Sequence, residues 1–490
     1  MRASTRPVRA AVLTIITLLA YGTMPAQAHA TTIAWTVCPE DAQVQCGTMR
    51  VPADWAAPSG PAITLTVARR AATDPARRLG VLLVNPGGPG GSAVDFTFNA
   101  ATFFGDELRK RFDIVGVDPR GVGRSTPVLC SQDLVDAKPS PLIESEDQFA
   151  AMIDYNRRLA ADCAARTGPV FDHVDTAGVV RDFEAVRVAL GEKKINIYGA
   201  SYGTLIGAGY AQRYPERLRA LVLDSVVDHS ADLDRFLTEE TDAAQDAFGE
   251  FVKWCGRDTR CVLRGQNIPR LWTTALARAR AGQLTDPYDA PRKVRVPDLV
   301  SVAFAAFYQP GWYNFALYLR DALAGAPVAG RRAPPPPVDL VDHSFAAVVC
   351  DDWHLPVTGF PDLRQRLQAL AARAPQMRYS PLALRATTSC LGRLSPPDNP
   401  QRVLAPPSTL GPVLLVNARH DPASAYPWAR RVAAQLGPRA GLLTYEGWGH
   451  VIYQTSPCVA AAVDKYLLTP ASIPPGGTCP AVEPQPFGIG

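Results

Sequence analysis

From residue 62 onward the chain repeats one unit: a short aliphatic or β-branched run, a turn rich in Gly, Pro or Asp, then a helix-patterned stretch. The runs are AITLTVAR (62–69), GVLLVN (80–85), FDIVGVD (112–118), INIYGA (195–200), ALVLDS (220–225), PVLLVNA (412–418) and GLLTYE (441–446). Several are apolar almost without interruption. Strands covered on both faces need that, whereas a sheet with one wet face alternates. Helical stretches such as 178–190 and 204–214 fall between them. The alternation predicts an α/β fold, a mostly parallel sheet with helices on both faces. It lapses between about 229 and 405, where LDRFLTEETDAAQDAFGEFVKW and IPRLWTTALARARAG read as helices and the prolines at 334–337 as a surface connector. That interval predicts an inserted, mainly helical cap, splitting the core into 31–228 and 406–490.

The first thirty residues read as an address. Arg2, Arg6 and Arg9 precede an apolar stretch from Ala10 to about Leu19, followed by the small-x-small sites Ala26-Gln27-Ala28 and Ala28-His29-Ala30. This order predicts a cleaved signal peptide over 1–30 and a secreted, extracellular chain with no membrane attachment after cleavage. No later stretch reaches the roughly 18 consecutive apolar residues of a membrane span. All ten cysteines (38, 46, 130, 163, 255, 261, 350, 390, 458 and 479) lie outside that segment. An even set in an oxidising compartment predicts disulfides. Without a CxxC or a His-x-His cluster, no metal is expected. Sequence alone leaves the connectivity open; the simplest arrangement pairs neighbours, the last bridge tying down a Pro/Gly-rich tail. Lys plus Arg (50) exceed Asp plus Glu (46) by only four, with no basic run, which argues against nucleic acid as a partner.

Gly199-Ala200-Ser201-Tyr202-Gly203 is a G-x-S-x-G placed between a predicted strand and a predicted helix. A serine on so tight a turn is held exposed at the strand's C-terminal end. Its hydroxyl is a weak nucleophile and needs a base, itself oriented by an acid. In this fold the chain order is Ser, acid, His, with the last two on loops after late strands. Asp421 follows PVLLVNA and His450 follows GLLTYE, so both occupy the required places. Asp224, at the end of ALVLDS, is the rival acid. His420 precedes Asp421 and has the wrong order, and His173, His229, His343 and His354 lie away from post-strand loops. The loop NPGGPGGSAVDF (85–96) follows another strand. A backbone N–H from it, assigned to Gly88, would form an oxyanion hole with that of Tyr202. No Lys-Ser/Thr follows the glycines, so a phosphate loop is excluded.

Together NPGGPGGS (85–92), VDPRGVGRS (117–125), YGASYGT (198–204), Asp421-Pro422 and Gly449-His450 resemble the secreted tripeptidyl aminopeptidases and proline iminopeptidases of the α/β-hydrolase superfamily. Trp254-Cys255, Cys261 and AVVCDD (347–352) extend the resemblance through the cap. It implies a serine exopeptidase acting on free N-termini of peptides without a cofactor, with Ser201 as nucleophile, Asp421 as acid, His450 as base and Gly88 and Tyr202 as oxyanion donors. The chain departs from the iminopeptidase pattern at Asn85-Pro86, where those begin the loop with His, and from the family's Trp-Pro pair around Cys390, where Arg393-Leu394 follows. An exopeptidase must also hold a charged N-terminus, which calls for carboxylates in the cap. Glu239, Glu240, Asp242, Asp351 and Asp352 are the candidates. Two other readings compete: an esterase or N-acyl amidohydrolase for small amides or esters, and a non-catalytic binding protein on a hydrolase scaffold.

Overall fold

A computed structural model describes residues 32–325, 338–393, 395–470 and 476–486. The expected signal segment 1–30 and the prolines at 334–337 lie outside the described residues. In chain order the strands are β1 (Thr36–Val37), β2 (Gln45–Pro52), β3 (Ala62–Arg70), β4 (Gly80–Asn85), β5 (Phe112–Val117), β6 (Leu129–Ser131), β7 (Ile195–Ala200), β8 (Leu218–Asp224), β9 (Leu340–Asp342), β10 (Val413–His420), β11 (Ala440–Trp448) and β12 (Gly477–Cys479). One sheet takes the order β1-β2-β3-β5-β4-β7-β8-β10-β11-β12. It is antiparallel from β1 to β5 and parallel from β5 to β12.

Every residue of β4, β5 and β7 is buried, which is why those runs carry no polar alternation. Alternate side chains feed two cores. Val81 and Leu83 pack with the helices Glu146–Thr167, Thr176–Ala189 and Gly203–Arg213, while Leu82 and Val84 pack with Ala93–Phe103 and Pro457–Leu468. β2 was not anticipated from sequence. Its exposed Thr48 and Arg50 alternate with buried Met49 and Val51, so it lacks the continuous apolar signature of the parallel strands.

Between β8 and β10 the chain leaves the sheet for the helices Leu233–Arg257, Ile268–Arg280, Val296–Tyr308, Trp312–Ala324, Ser344–Asp352, Phe360–Arg373 and Pro381–Ser389. These gather their own aromatic core around Trp254, Trp272, Trp312 and Phe251. β9 lies in this interval and pairs antiparallel with β6 of the core. It is three residues long and barely buried, so backbone pairing alone defines it and no hydrophobic pattern announces it.

Five disulfides pair sequence neighbours: Cys38–Cys46, Cys130–Cys163, Cys255–Cys261, Cys350–Cys390 and Cys458–Cys479. The last ties β12, which pairs with β11, to helix Pro457–Leu468. Among the described residues no helix is long and apolar enough to cross a membrane.

Candidate active site

The loops that follow β4, β7, β8, β10 and β11 meet at the C-terminal edge of the parallel sheet, where such sheets bind ligands. Ser201 joins β7 to helix Gly203–Arg213 with a φ of +55°, a left-handed conformation that a non-glycine residue adopts only under constraint. The constraint is visible. Ser201 N–H donates to the Asp224 carbonyl at 2.8 Å, and its own carbonyl accepts from Thr204 N–H at 2.9 Å and Thr204 Oγ1 at 2.6 Å. Gly199 is required by close approach, since a Cβ there would stand 2.3 Å from the Gly203 carbonyl oxygen.

His450 Nδ1 lies 3.0 Å from both Oδ1 and Oδ2 of Asp421. Both residues are buried, which strengthens the attraction between the carboxylate and any imidazolium that forms. Asp421 Oδ1 also accepts the N–H groups of Ala423 and Ser424, each at 2.9 Å, so its carboxylate is held by its own turn. The rival Asp224 is not bonded to the imidazole. Its Oδ1 accepts Ile452 N–H and its Oδ2 accepts Tyr453 N–H, each at 3.1 Å, and Tyr198 donates its hydroxyl at 2.7 Å. Ser225 Oγ accepts Val451 N–H at 2.8 Å. Asp224 and Ser225 therefore hold the chain just beyond His450. From the cap, Tyr308 accepts His450 N–H on its carbonyl at 2.7 Å and sets its ring edge-on to the imidazole, centroids 4.8 Å apart. Sequence reasoning missed Tyr308, Asp224 and Ser225 in these holding roles, and for Tyr308 no local signal exists.

Among the described residues, neither Ser201 Oγ nor His450 Nε2 has a hydrogen-bond partner, and the N–H groups of Gly88 and Tyr202 have no protein acceptor. Such contacts commonly tighten only when substrate binds. Gly88, Ser201 and Tyr202 line one small cavity of about 40 Å³, walled by Phe236, Phe345, Trp353 and Trp428. The Gly88 loop is tied down twice. Asn85, one of the departures from the iminopeptidase pattern, accepts Gly87 N–H on Oδ1 at 2.9 Å. Ser92 Oγ donates to Asp118 at 2.7 Å, and Asp118 also takes Arg124 N–H at 2.8 Å, linking the loop to VDPRGVGRS.

The cap carboxylates separate sharply. Glu240 lines the Ser201 cavity, is 1% exposed and has no partner at Oε2. Burial pushes its carboxyl well above the usual range, and the nearby Asp421 charge adds to that against an opposing Ser380 hydrogen bond. The other candidates are engaged by protein groups away from Ser201. Glu239 turns away to accept Trp428 Nε1 at 2.8 Å and to pair with Arg431. Asp242 pairs with Arg373 on the surface. Asp351 pairs with Arg393 and lines a different cavity. Asp352 is consumed by four protein donors: Thr176 N–H (2.8 Å), Thr176 Oγ1 (2.5 Å), Tyr202 Oη (2.7 Å) and Asn399 Nδ2 (2.6 Å). Burial raises its carboxyl to about 7. Asp352 thus fixes the hydroxyl end of the Tyr202 side chain.

Two family patterns match the chain: the alpha/beta hydrolase fold over residues 80–319 and the TAP-like protein family over 375–479, the latter span holding Asp421 and His450. The tripeptidyl aminopeptidase of Streptomyces coelicolor is 30% identical over 490 residues, covering 93% of this chain and 87% of that one. Serine protease Hip1 of Mycobacterium tuberculosis is 29% identical over 481 residues, 91% of each chain. Carboxylesterase B of the same organism is 31% identical over 470 residues, 88% of this chain and 85% of that one. With these matches spanning core and cap alike, the chain belongs to the TAP-like serine peptidases of the α/β-hydrolase superfamily.

Proposed function

We propose that this serine peptidase is a secreted exopeptidase that releases short peptides, about three residues long, from free N-termini. The observation that carries the reading is Glu240, a buried carboxyl with an unpartnered oxygen in the same cavity as Ser201. A substrate ammonium beside it would supply the positive charge that burial denies it, drawing the carboxyl back to its ionised form. That pair would fix the distance from the N-terminus to the scissile bond. The name of the Streptomyces relative supports a tripeptide product. Five disulfides and the charged, then apolar, N-terminus support secretion.

In this mechanism His450 Nε2 takes the Ser201 proton as Oγ attacks the carbonyl carbon, and Asp421 holds the imidazole and stabilises its cation. The oxyanion lies between the N–H groups of Gly88 and Tyr202. Collapse expels the amine of the remaining peptide, protonated by His450. Water, deprotonated by the same imidazole, then attacks the acyl-enzyme and frees Ser201. The cavity of about 40 Å³ is far smaller than a peptide, so in this reading cap side chains such as Phe345 and Trp353 shift as the substrate enters.

The test is one chromogenic tripeptide amide offered with a free and with an acetylated N-terminus. Wild type is expected to cleave the free form alone, Ser201→Ala neither, and Glu240→Gln to raise KM for the free form at least tenfold. The aromatic walls of the cavity and the carboxylesterase relative favour a second reading, a hydrolase of small esters or N-acyl amides. Preference for the acetylated form would establish that reading in place of the first.

A further inference from the structure

A second cavity, of about 330 Å³, lies between helix Glu146–Thr167 of the core and the cap helices Ser344–Asp352 and Pro381–Ser389. It shares no lining residue with the Ser201 cavity. Helix Ser344–Asp352 divides the two: Phe345 and Val349 face Ser201, whereas Ala346, Ala347, Cys350 and Asp351 face the other space. Its size is that of a pocket for a small organic ligand.

The lining is bipolar. Lys138 Nζ meets only Ser389 Oγ, at 3.3 Å, and among the described residues no carboxylate pairs with it. Burial pulls that ammonium down to about 8, the mark of a cation lacking a counter-charge. Asp351, 2% exposed, gives Oδ1 to Arg393 and has no partner at Oδ2. The buried Tyr155 hydroxyl is likewise unpartnered. Leu159, Phe171, Ala346 and Ala347 give the wall an apolar stretch, while the further charged lining residues Arg157 and Asp172 are exposed to solvent. Buried polar atoms in native proteins are nearly always satisfied, so an ammonium without a carboxylate, an open oxygen on the Arg393-paired Asp351 and an unpartnered Tyr155 hydroxyl around one cavity describe the ligand they lack.

We propose that this cavity is a second binding site, apart from Ser201, for a short free peptide whose carboxylate meets Lys138 and whose ammonium meets Asp351. An anion alone would leave Asp351 Oδ2 unused, and a cation alone would leave Lys138 unpaired; a zwitterion with a compact apolar middle uses both. The site stands whether or not Ser201 cleaves peptides.

Calorimetric titration of trialanine into the mature Ser201→Ala protein tests this, with N-acetyl-trialanine and trialanine amide as comparators. The expected result is a site that Lys138→Met weakens about tenfold or more, as loss of a charge-assisted bond does. Glu240→Gln leaves that site in place, and both comparators bind it at least about tenfold more weakly. Ala347→Leu, which narrows the cavity without removing a charge, is expected to weaken it too, with thermal melts verifying that each variant folds. Binding removed by Glu240→Gln and untouched by Lys138→Met would put the peptide at Ser201 and overturn the proposal. Equal binding of the acetylated peptide, or no heat at millimolar trialanine, would overturn it as well.

Discussion

Gly87→Ala is the sharpest perturbation of the proposed oxyanion hole, because the substituted residue need not itself touch substrate. Gly87 has a φ of +87°, and a Cβ built on it would stand 2.4 Å from the Ala200 carbonyl oxygen, 2.7 Å from Tyr202 N and 2.9 Å from Ser201 Cβ. Ordinary contact begins near 3.4 Å, so one side must retreat by about 1 Å. The Ser201 turn is held by the bonds from Ser201 N–H to Asp224 (2.8 Å) and from Thr204 N–H to Ser201 (2.9 Å), and the left-handed backbone strain of an alanine falls on residue 87 itself, so the glycine loop is expected to yield despite its Asn85 bond. It carries the Gly88 N–H with it, out of the roughly 2.7–3.1 Å window an oxyanion donor needs. Losing one such donor costs about 10²–10³ in kcat. The left-handed backbone adds about 1–3 kcal/mol of strain once a side chain is present. The expected result is a 10²–10³-fold fall in kcat on the free tripeptide amide, little change in KM, and unfolding in denaturant easier by about 1–3 kcal/mol. Gly411, with open space around its Cβ position, is the control, and Gly411→Ala should leave both quantities unchanged. If Gly87→Ala kept kcat within about threefold of wild type, far short of the loss of one donor, the close packing of this loop on Ser201 would not be what aims its N–H.

The two acids that follow neighbouring strands are separable by kinetics. Asp421→Asn is expected to lower kcat about 10⁴-fold with the fold intact, whereas Asp224→Asn should cost less than about 100-fold and act mainly on stability, since it disturbs the acceptor of Ile452 and Tyr453 N–H; the reverse ranking would reassign the acid. Asp352, raised to about 7 by burial, keeps its proton in the folded chain while the unfolded chain ionises near 3.8. Its contribution to stability is therefore complete below pH 4 and is lost as pH rises to about 7, by a few kcal/mol at most. Asp352→Asn should flatten that fall in unfolding free energy measured from pH 4 to 7, and an unchanged slope would remove Asp352 as its source. Replacing Cys458 and Cys479 together by Ala opens a loop of 21 residues and should lower stability by about 3 kcal/mol in denaturant titrations, with kcat retained.

Much of this protein was legible before folding because the signals are local or ordinal. A strand buried on both faces has to be apolar at every position, so GVLLVN and INIYGA declare a parallel sheet by themselves. The glycine-flanked Ser201 between strand and helix, and the succession of Ser201, Asp421 and His450, need only chain order to be read. Neighbouring cysteines likewise met within the elements that join them.

What the sequence could not decide was the direction in which adjacent side chains point. Glu239 and Glu240 are consecutive on helix Leu233–Arg257, turned about 100° apart. That rotation sends one to Trp428 and Arg431 and the other into the Ser201 cavity. Asp351 and Asp352 part in the same way, one to Arg393 and the other to Thr176, Tyr202 and Asn399. Asp224 ends β8 and Asp421 follows β10, strands that lie side by side, and only the packed loops show which carboxylate reaches the imidazole. Tyr308 meets His450 across the joint between cap and core. In each case the partner comes from a distant part of the chain, and burial gives each carboxyl a role that its residue type and local spacing leave open.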